Sequence, residues 1–154
     1  MQVDVEPEER YWYPDDGGIV WLAGYQPVGA DGRFLAREAP ELAAAGLTIA
    51  GVAGARFNED ALASDDAAPG RPLSLRRDRD NEHDPNAIAV DLPGGRQLGW
   101  VPRELAAELA PRLDEGEPWS AVALREARPS PRDPRTGVTM LLAAAPAVTL
   151  AVRS

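Results

Sequence analysis

Apolar positions in the second part of the chain fall into short runs separated by turn residues. LTIAGVAGARF (47–57) mixes β-branched and small residues, and its glycines at 51 and 54 suggest a bent strand. PLSLRRD (72–78) alternates, with Leu73 and Leu75 on one face and Ser74 and Arg76 on the other. NAIAVDL (86–92) and RQLGWV (96–101) read as two strands of a hairpin turned by PGG (93–95). WSAVALREA (119–127) and GVTMLLAAAPAVTLAV (137–152) supply two further strand candidates, the last ended or bent at Pro146. One segment carries a helical period instead: after Pro102, RELAAELAPRLDEG (103–116) places Leu105, Leu109 and Leu113 on one face, and Gly116 closes it. The acidic stretch 58–71 and the Asp/Asn-dense run 78–85 read as loops. The pattern predicts a mainly β chain: a small antiparallel barrel of the OB or SH3-like kind, about six strands with one or two helices.

The first 45 residues differ. MQVDVEPEERYWYPDDGG (1–18) is acidic and turn-rich and reads as a tail or extended arm. IVWLAGYQPV (19–28) has strand composition and is followed by the turn GADG (29–32). Residues 33–45 have helical composition interrupted by Pro40. The expected division is therefore an acidic extension, 1–45, possessing at most a short strand and helix docked on a barrel of 46–154.

Composition narrows the chemistry. The 154 residues suit one domain, and 44% apolar with 27% charged residues suits a folded one. Cysteine is absent and His83 is the single histidine, which excludes disulfides, cysteine-based metal centres and multi-histidine sites. Neither a signal-like start nor a membrane-length apolar run is present, so a cytoplasmic location is expected. The net charge of −9 opposes broad electrostatic binding of nucleic acid. It is unevenly spread: residues 1–45 hold 9 acids and 3 arginines, whereas 46–154 hold 16 acids and 13 arginines. All 16 basic residues are arginine, as a high-GC genome would produce.

The segment RRDRDNEHDPNAIAVDLPGGRQLGWVPRELA (76–106) has a basic strand, an N-x-H-D-x-N-A turn, a strand, a hairpin and then G-x-x-P-R-E-L-A. In this it resembles the HIRAN family signature, and with the flanking strands the likeness spans about residues 47–145. The resemblance implies a modified OB-type barrel that binds the 3′-terminal nucleotides of single-stranded DNA, without a cofactor or metal and without catalysis of its own. Stand-alone members occur in bacteria, and the chain is similar to these, lacking a Walker motif and zinc-binding cysteines. A DNA-repair or helicase protein is the implied partner.

By that resemblance Asp84 matches the carboxylate that accepts a hydrogen bond from the terminal 3′-hydroxyl, an acceptor that repels an internal phosphate. On the residues alone, Asp84 with Asn81 and Asn86 equally reads as Asx bonding within a turn. His83 stands where the family commonly has tyrosine for base stacking, and a solvated histidine is the plainer reading. Phe57 is a second stacking candidate or the core end of a strand. Arg56 is placed for a terminal phosphate, and Arg76, Arg77, Arg79 and Arg103 extend a basic rim or merely neutralise neighbouring aspartates. Trp100 either packs the helix or extends the stacking wall.

Two other functions compete. Asp78, Asp80, Glu82 and Asp84 suggest a metal-dependent phosphodiester hydrolase, although the spacing lacks the glycine of a coordinating turn. An interaction module for a basic protein partner, with DNA binding lost, accords with the acidic first 45 residues.

Overall fold

A computed structural model describes residues 1–153 and shows nine strands and three short or medium α-helices among them. In chain order these are β1 (Gln2–Trp12), β2 (Val20–Pro27), α1 (Pro40–Ala44), β3 (Leu47–Gly51), α2 (Glu59–Ala63), β4 (Pro72–Arg77), β5 (Ile88–Asp91), β6 (Gln97–Trp100), α3 (Arg103–Asp114), β7 (Ser120–Arg128), β8 (Gly137–Ala143) and β9 (Thr149–Val152). The mainly β, OB-like expectation holds, with more strands than the six expected. Among the described residues, no helix is long and apolar enough to cross a membrane.

Strand β7 is the hub. Along one edge it pairs antiparallel with β8, which in turn pairs with β3. Its other edge is shared: Pro72 and Leu73 of β4 oppose Val122 and Ala121, while Trp21–Gly24 of β2 oppose Arg128–Arg125. The register shift between Ala123 and Arg125 falls at the changeover. From β4 the sheet continues through β5 to β6, and from β2 through β1 to β9, which joins β1 in parallel. The sheet does not close into a continuous barrel. Its β6 end returns only at a two-bond bridge, Ala53 N–H to Trp100 O at 2.8 Å and Trp100 N–H to Ala53 O at 2.9 Å.

The β3–β8–β7 layer is buried on both faces, which is why its sequence runs nearly continuously apolar rather than alternating. On one side Ala121, Ala123, Met140 and Leu142 join Ile88, Val90, Leu98 and the α3 residues Ala106 and Leu109. On the other, Val122, Leu124 and Leu141 join Val3, Val5 and Leu42. Residues 1–45 thus supply a cover for the second face, and β1, read from sequence as a tail or arm, is a paired strand over Gln2–Trp12. A buried ion pair ties the loop after α2 to β7: Arg135 donates to Glu126 at 2.9 Å and to the carbonyls of Leu62 at 2.6 Å and Ser64 at 3.1 Å.

The segment 58–71, expected as loop, contains α2 and a 3₁₀ turn at Asp65–Ala67, because Ala61, Leu62 and Ala67 have an apolar surface to bury against. The LTIAGVAGARF run is not one strand either. Gly54 adopts φ +70°, and the chain turns there into a 3₁₀ turn over Ala55–Phe57.

Candidate nucleic-acid interface

The turn between β4 and β5 is built by its own side chains. Asn81 Oδ1 accepts from the backbone N–H groups of His83 at 2.9 Å and Asp84 at 3.0 Å. Asp84 Oδ1 accepts from Asn86 N–H at 2.9 Å. The turn is anchored to the sheet by Asp78 N–H donating to Ala87 O at 2.9 Å. The Asx reading of Asn81 and Asp84 therefore describes the turn correctly, but it engages only one of the Asp84 carboxylate oxygens. Oδ2 faces the Arg103 guanidinium, with Nε 3.9 Å away, and accepts no hydrogen bond among the described residues.

Asn81, His83, Asp84, Trp100 and Arg103 line one cleft of about 320 Å³, with Ala53 and Ile88 among its remaining walls. Three local features bring them together: the Asx turn, the β5–β6 hairpin ending at Trp100, and Pro102 opening α3 so that Arg103 stands at its first position. Arg103 also leans on the turn, Nη2 lying 3.5 Å from His83 O. Phe57 belongs to the neighbouring surface and is 76% exposed, not core. A Cβ placed on Gly54 would lie 3.5 Å from Trp100 Cδ1 and 3.9 Å from Phe57 Cδ2, so both rings flank that glycine. The Arg56 guanidinium sits 4.8 Å from the Phe57 ring centroid, a cation–π contact.

Arg76 and Arg77 are not brought into this cleft. Arg76 donates to Asp91 at 2.7 Å, and that hydrogen bond pushes the guanidinium pKa up. Arg77 reaches Asp114 at 3.0 Å and the carbonyls of Ala87 at 2.8 Å and Pro85 at 3.0 Å. It supports the turn from behind. Hydrogen bonds from Arg77 and Arg79 hold the Asp114 carboxyl below the ordinary carboxylate value. The four acids of 78–84 form no metal-binding group either, since among the described residues no three His, Asp or Glu side chains converge.

A family model described as the HIRAN domain matches residues 45–134, from the start of β3 to beyond β7. The chain belongs to the HIRAN domain family. HIRAN domains are DNA-binding modules, and the Asx turn, the hairpin and α3 all lie inside the matched region. The chain is similar to the HIRAN domain of human HLTF as seen in its crystal structure, at 24% identity and a TM-score of 0.48 over 64% of this chain and 76% of that one. It is also similar to a protein from Lactobacillus plantarum whose crystal structure gives 20% identity and a TM-score of 0.44, over 62% of this chain and 91% of that one. A search of curated proteins gave no match. In this HIRAN domain the sequence reading missed Arg96, Gln97 and Asn58, which line a second cleft beside Phe57. An arginine directly after the PGG turn was the signal available.

Proposed function

We propose that this HIRAN domain captures the free 3′ end of single-stranded DNA, with Asp84 as the acceptor of the terminal hydroxyl. The observation that carries this reading is Asp84 Oδ2 at the edge of the cleft, which faces Arg103 but accepts no hydrogen bond among the described residues, its partner oxygen already tied to Asn86 N–H. A carboxylate accepts a hydroxyl proton and repels a phosphate, so a chain terminus fits where an internal nucleotide does not. Trp100 and His83 offer flat surfaces for the terminal base, and Phe57 offers one for the next. Arg103 and Arg56 then meet the backbone phosphates. The net charge of −9 is compatible with this chemistry, because end capture draws on a few local cations and the acidic surface discourages non-specific binding. Such a module serves repair or replication-fork processing by presenting an end to a partner enzyme.

The test is anisotropy titration at low salt of 5′-labelled oligonucleotides ending in a 3′-hydroxyl or a 3′-phosphate. Wild type should favour the hydroxyl end. Asp84→Asn keeps an oxygen for Asn86 N–H but replaces the charged acceptor, and should weaken hydroxyl-end binding about 10- to 150-fold, the equivalent of ~1.5–3 kcal/mol for a charge-assisted hydrogen bond. Equal binding of the two ends by wild type would overturn the reading.

A second reading, a protein-interaction module, is favoured by one patch. Tyr11, Trp12, Tyr13 and Ile19 are all exposed at the tip of the β1–β2 hairpin, beside Glu9, Asp15 and Asp16. Absence of binding to either oligonucleotide would put this reading first.

A further inference from the structure

The β1–β2 hairpin runs past the strands that flank it. Its own pairing continues from Val5 opposite Pro27 to Trp12 opposite Val20, whereas β9 accompanies β1 only over Gln2–Val5 and β7 accompanies β2 only over Trp21–Gly24. Backbone groups alternate in direction along β1. Asp4 O accepts from Val28 N–H on the β2 side at 2.9 Å, and Val5 O accepts from Arg153 N–H on the β9 side at 2.9 Å. Pro7, Glu9 and Tyr11 share the orientation of Val5, and beyond the end of β9 no strand lies opposite them among the described residues. Pro7 has no donor to leave idle, which blunts the edge next to β9. Glu9 and Tyr11 each turn an N–H and a C=O to that open edge.

The same end of the hairpin carries exposed apolar side chains, Tyr11, Trp12, Tyr13 and Ile19. Among the described residues the cation–π contact is Arg56 on Phe57, so no cation of this chain caps a ring here. Trp21 Nε1 donates to Glu9 Oε1 at 3.1 Å and holds that carboxylate beside the edge. Residues 8–19 contain Glu8, Glu9, Asp15 and Asp16 against Arg10 alone, and Arg10 is paired with Glu8. Asp15 and Asp16 are exposed in the turn and form no ion pair among the described residues.

An open strand edge, uncapped rings and unneutralised carboxylates suit one occupant. Main-chain groups at an edge take an extended segment, and aromatic faces beside carboxylates take arginine or lysine side chains. A second copy of this chain would set the same acids against these, and like charges oppose that pairing. We infer that the end of the β1–β2 hairpin docks an extended basic segment of a partner protein. The segment pairs with β1 at Glu9 and Tyr11 and sets its cationic side chains among the Tyr11, Trp12 and Tyr13 rings and the Asp15 and Asp16 carboxylates. The inference rests on the patch behind the protein-interaction reading and gives its partner a chemistry. It leaves the Asp84 cleft available to DNA, since the hairpin lies outside the residues matched to the HIRAN domain.

The test titrates the ¹⁵N-labelled full chain with a synthetic peptide of alternating threonine and arginine, and with its threonine–glutamate counterpart. The arginine peptide should bind and the glutamate peptide should not. Amide signals of Glu9 and Tyr11 should shift, and their hydrogen exchange should slow. Trp12→Ser and Tyr13→Ser leave the charge unchanged, and each should weaken arginine-peptide binding about 2- to 5-fold. Asp15→Asn with Asp16→Asn should weaken it and flatten its salt dependence. All these side chains are exposed, so urea midpoints and oligonucleotide affinity should not change. Undiminished peptide affinity in the ring variants would mean that general acidity attracts the peptide, and overturns the inference, as do amide shifts confined to residues away from the hairpin. Glutamate-peptide binding at the hairpin would keep the interaction reading and overturn the basic partner. Sedimentation showing a wild-type dimer that Trp12→Ser abolishes would assign the hairpin to a second copy and overturn it too. Arginine-peptide binding at the hairpin with no oligonucleotide binding supports the docking site while end capture fails.

Discussion

The bridge between Ala53 and Trp100 ties the β6 end of the sheet to the 52–55 segment and borders the Asp84 cleft, and Gly99 is what permits it. A Cβ on Gly99 would overlap the Ala53 carbonyl oxygen and lie 2.7 Å from Val52 Cγ1 and 3.3 Å from Ala55 N. In Gly99→Ala the 52–55 segment must move away from β6, which sacrifices two backbone hydrogen bonds now at 2.8 and 2.9 Å. Each contributes about 0.5–1.5 kcal/mol. Residual crowding against Val52 adds about 1–3 kcal/mol, the usual cost of an extra methyl in a packed site. The expected loss is therefore about 2–6 kcal/mol, a large part of the stability of an ordinary domain. Urea unfolding followed by tryptophan fluorescence measures it. Gly51→Ala is the control, because a Cβ there meets nothing within 4 Å, and it should change stability by less than about 0.5 kcal/mol. Because Trp100 and Phe57 both border this segment, Gly99→Ala should also weaken oligonucleotide binding under conditions where it remains folded. A Gly99→Ala protein as stable as Gly51→Ala would refute the argument that β6 and the 52–55 segment are held in this contact.

Three further outcomes follow from the packing. Arg135→Met should cost about 3–5 kcal/mol by urea unfolding, since it leaves the carbonyls of Leu62 and Ser64 without their donor and Glu126 with Arg128 alone; Glu126→Leu with Arg135→Met should recover part of that, and a single variant as stable as wild type would contradict the role given to the pair. Burial pushes the Glu126 carboxyl up, but hydrogen bonds from Arg128 and Arg135 outweigh it and hold the group below its ordinary value of 4.5. The unfolded chain therefore binds that proton more readily, so this contribution to stability is fully present above about pH 4.5 and is lost as pH falls through the folded-state value; denaturation midpoints measured between pH 7 and 3 should fall on the acid side, and less so in Glu126→Gln. Leu42→Ala, at a side chain 2% exposed, should cost about 2–5 kcal/mol in one transition shared by fluorescence and circular dichroism, whereas two separated transitions would mean that residues 1–45 unfold on their own.

The elements readable from sequence are those whose instructions are local. The PGG turn, Pro102, the Leu105–Leu109–Leu113 spacing and the Asp/Asn run 78–86 each act within a few residues, so the hairpin, α3 and the Asx turn were all visible in the order of the chain. For the same reason Asn81, His83, Asp84, Trp100 and Arg103 could be named together: one unbroken segment of turn, hairpin and helix start carries them to a single cleft. Strand β1 was hidden because only Val3 and Val5 alternate before EPEER begins, and its state depends on β2 and on β9, whose Thr149 pairs with Gln2. Phe57 looked like the end of a strand until Gly54, held beside Trp100, turned it outward. The fate of each arginine was likewise beyond the sequence. Arg77 finds its carboxylate 37 positions away on α3, while Arg56 and Arg96 find none among the described residues, and only the folded chain decides which acids come within reach. Local turn chemistry and periodicity act on neighbours in the chain and so determined the elements. Charge pairing and burial act through space, and these the tertiary structure alone decided.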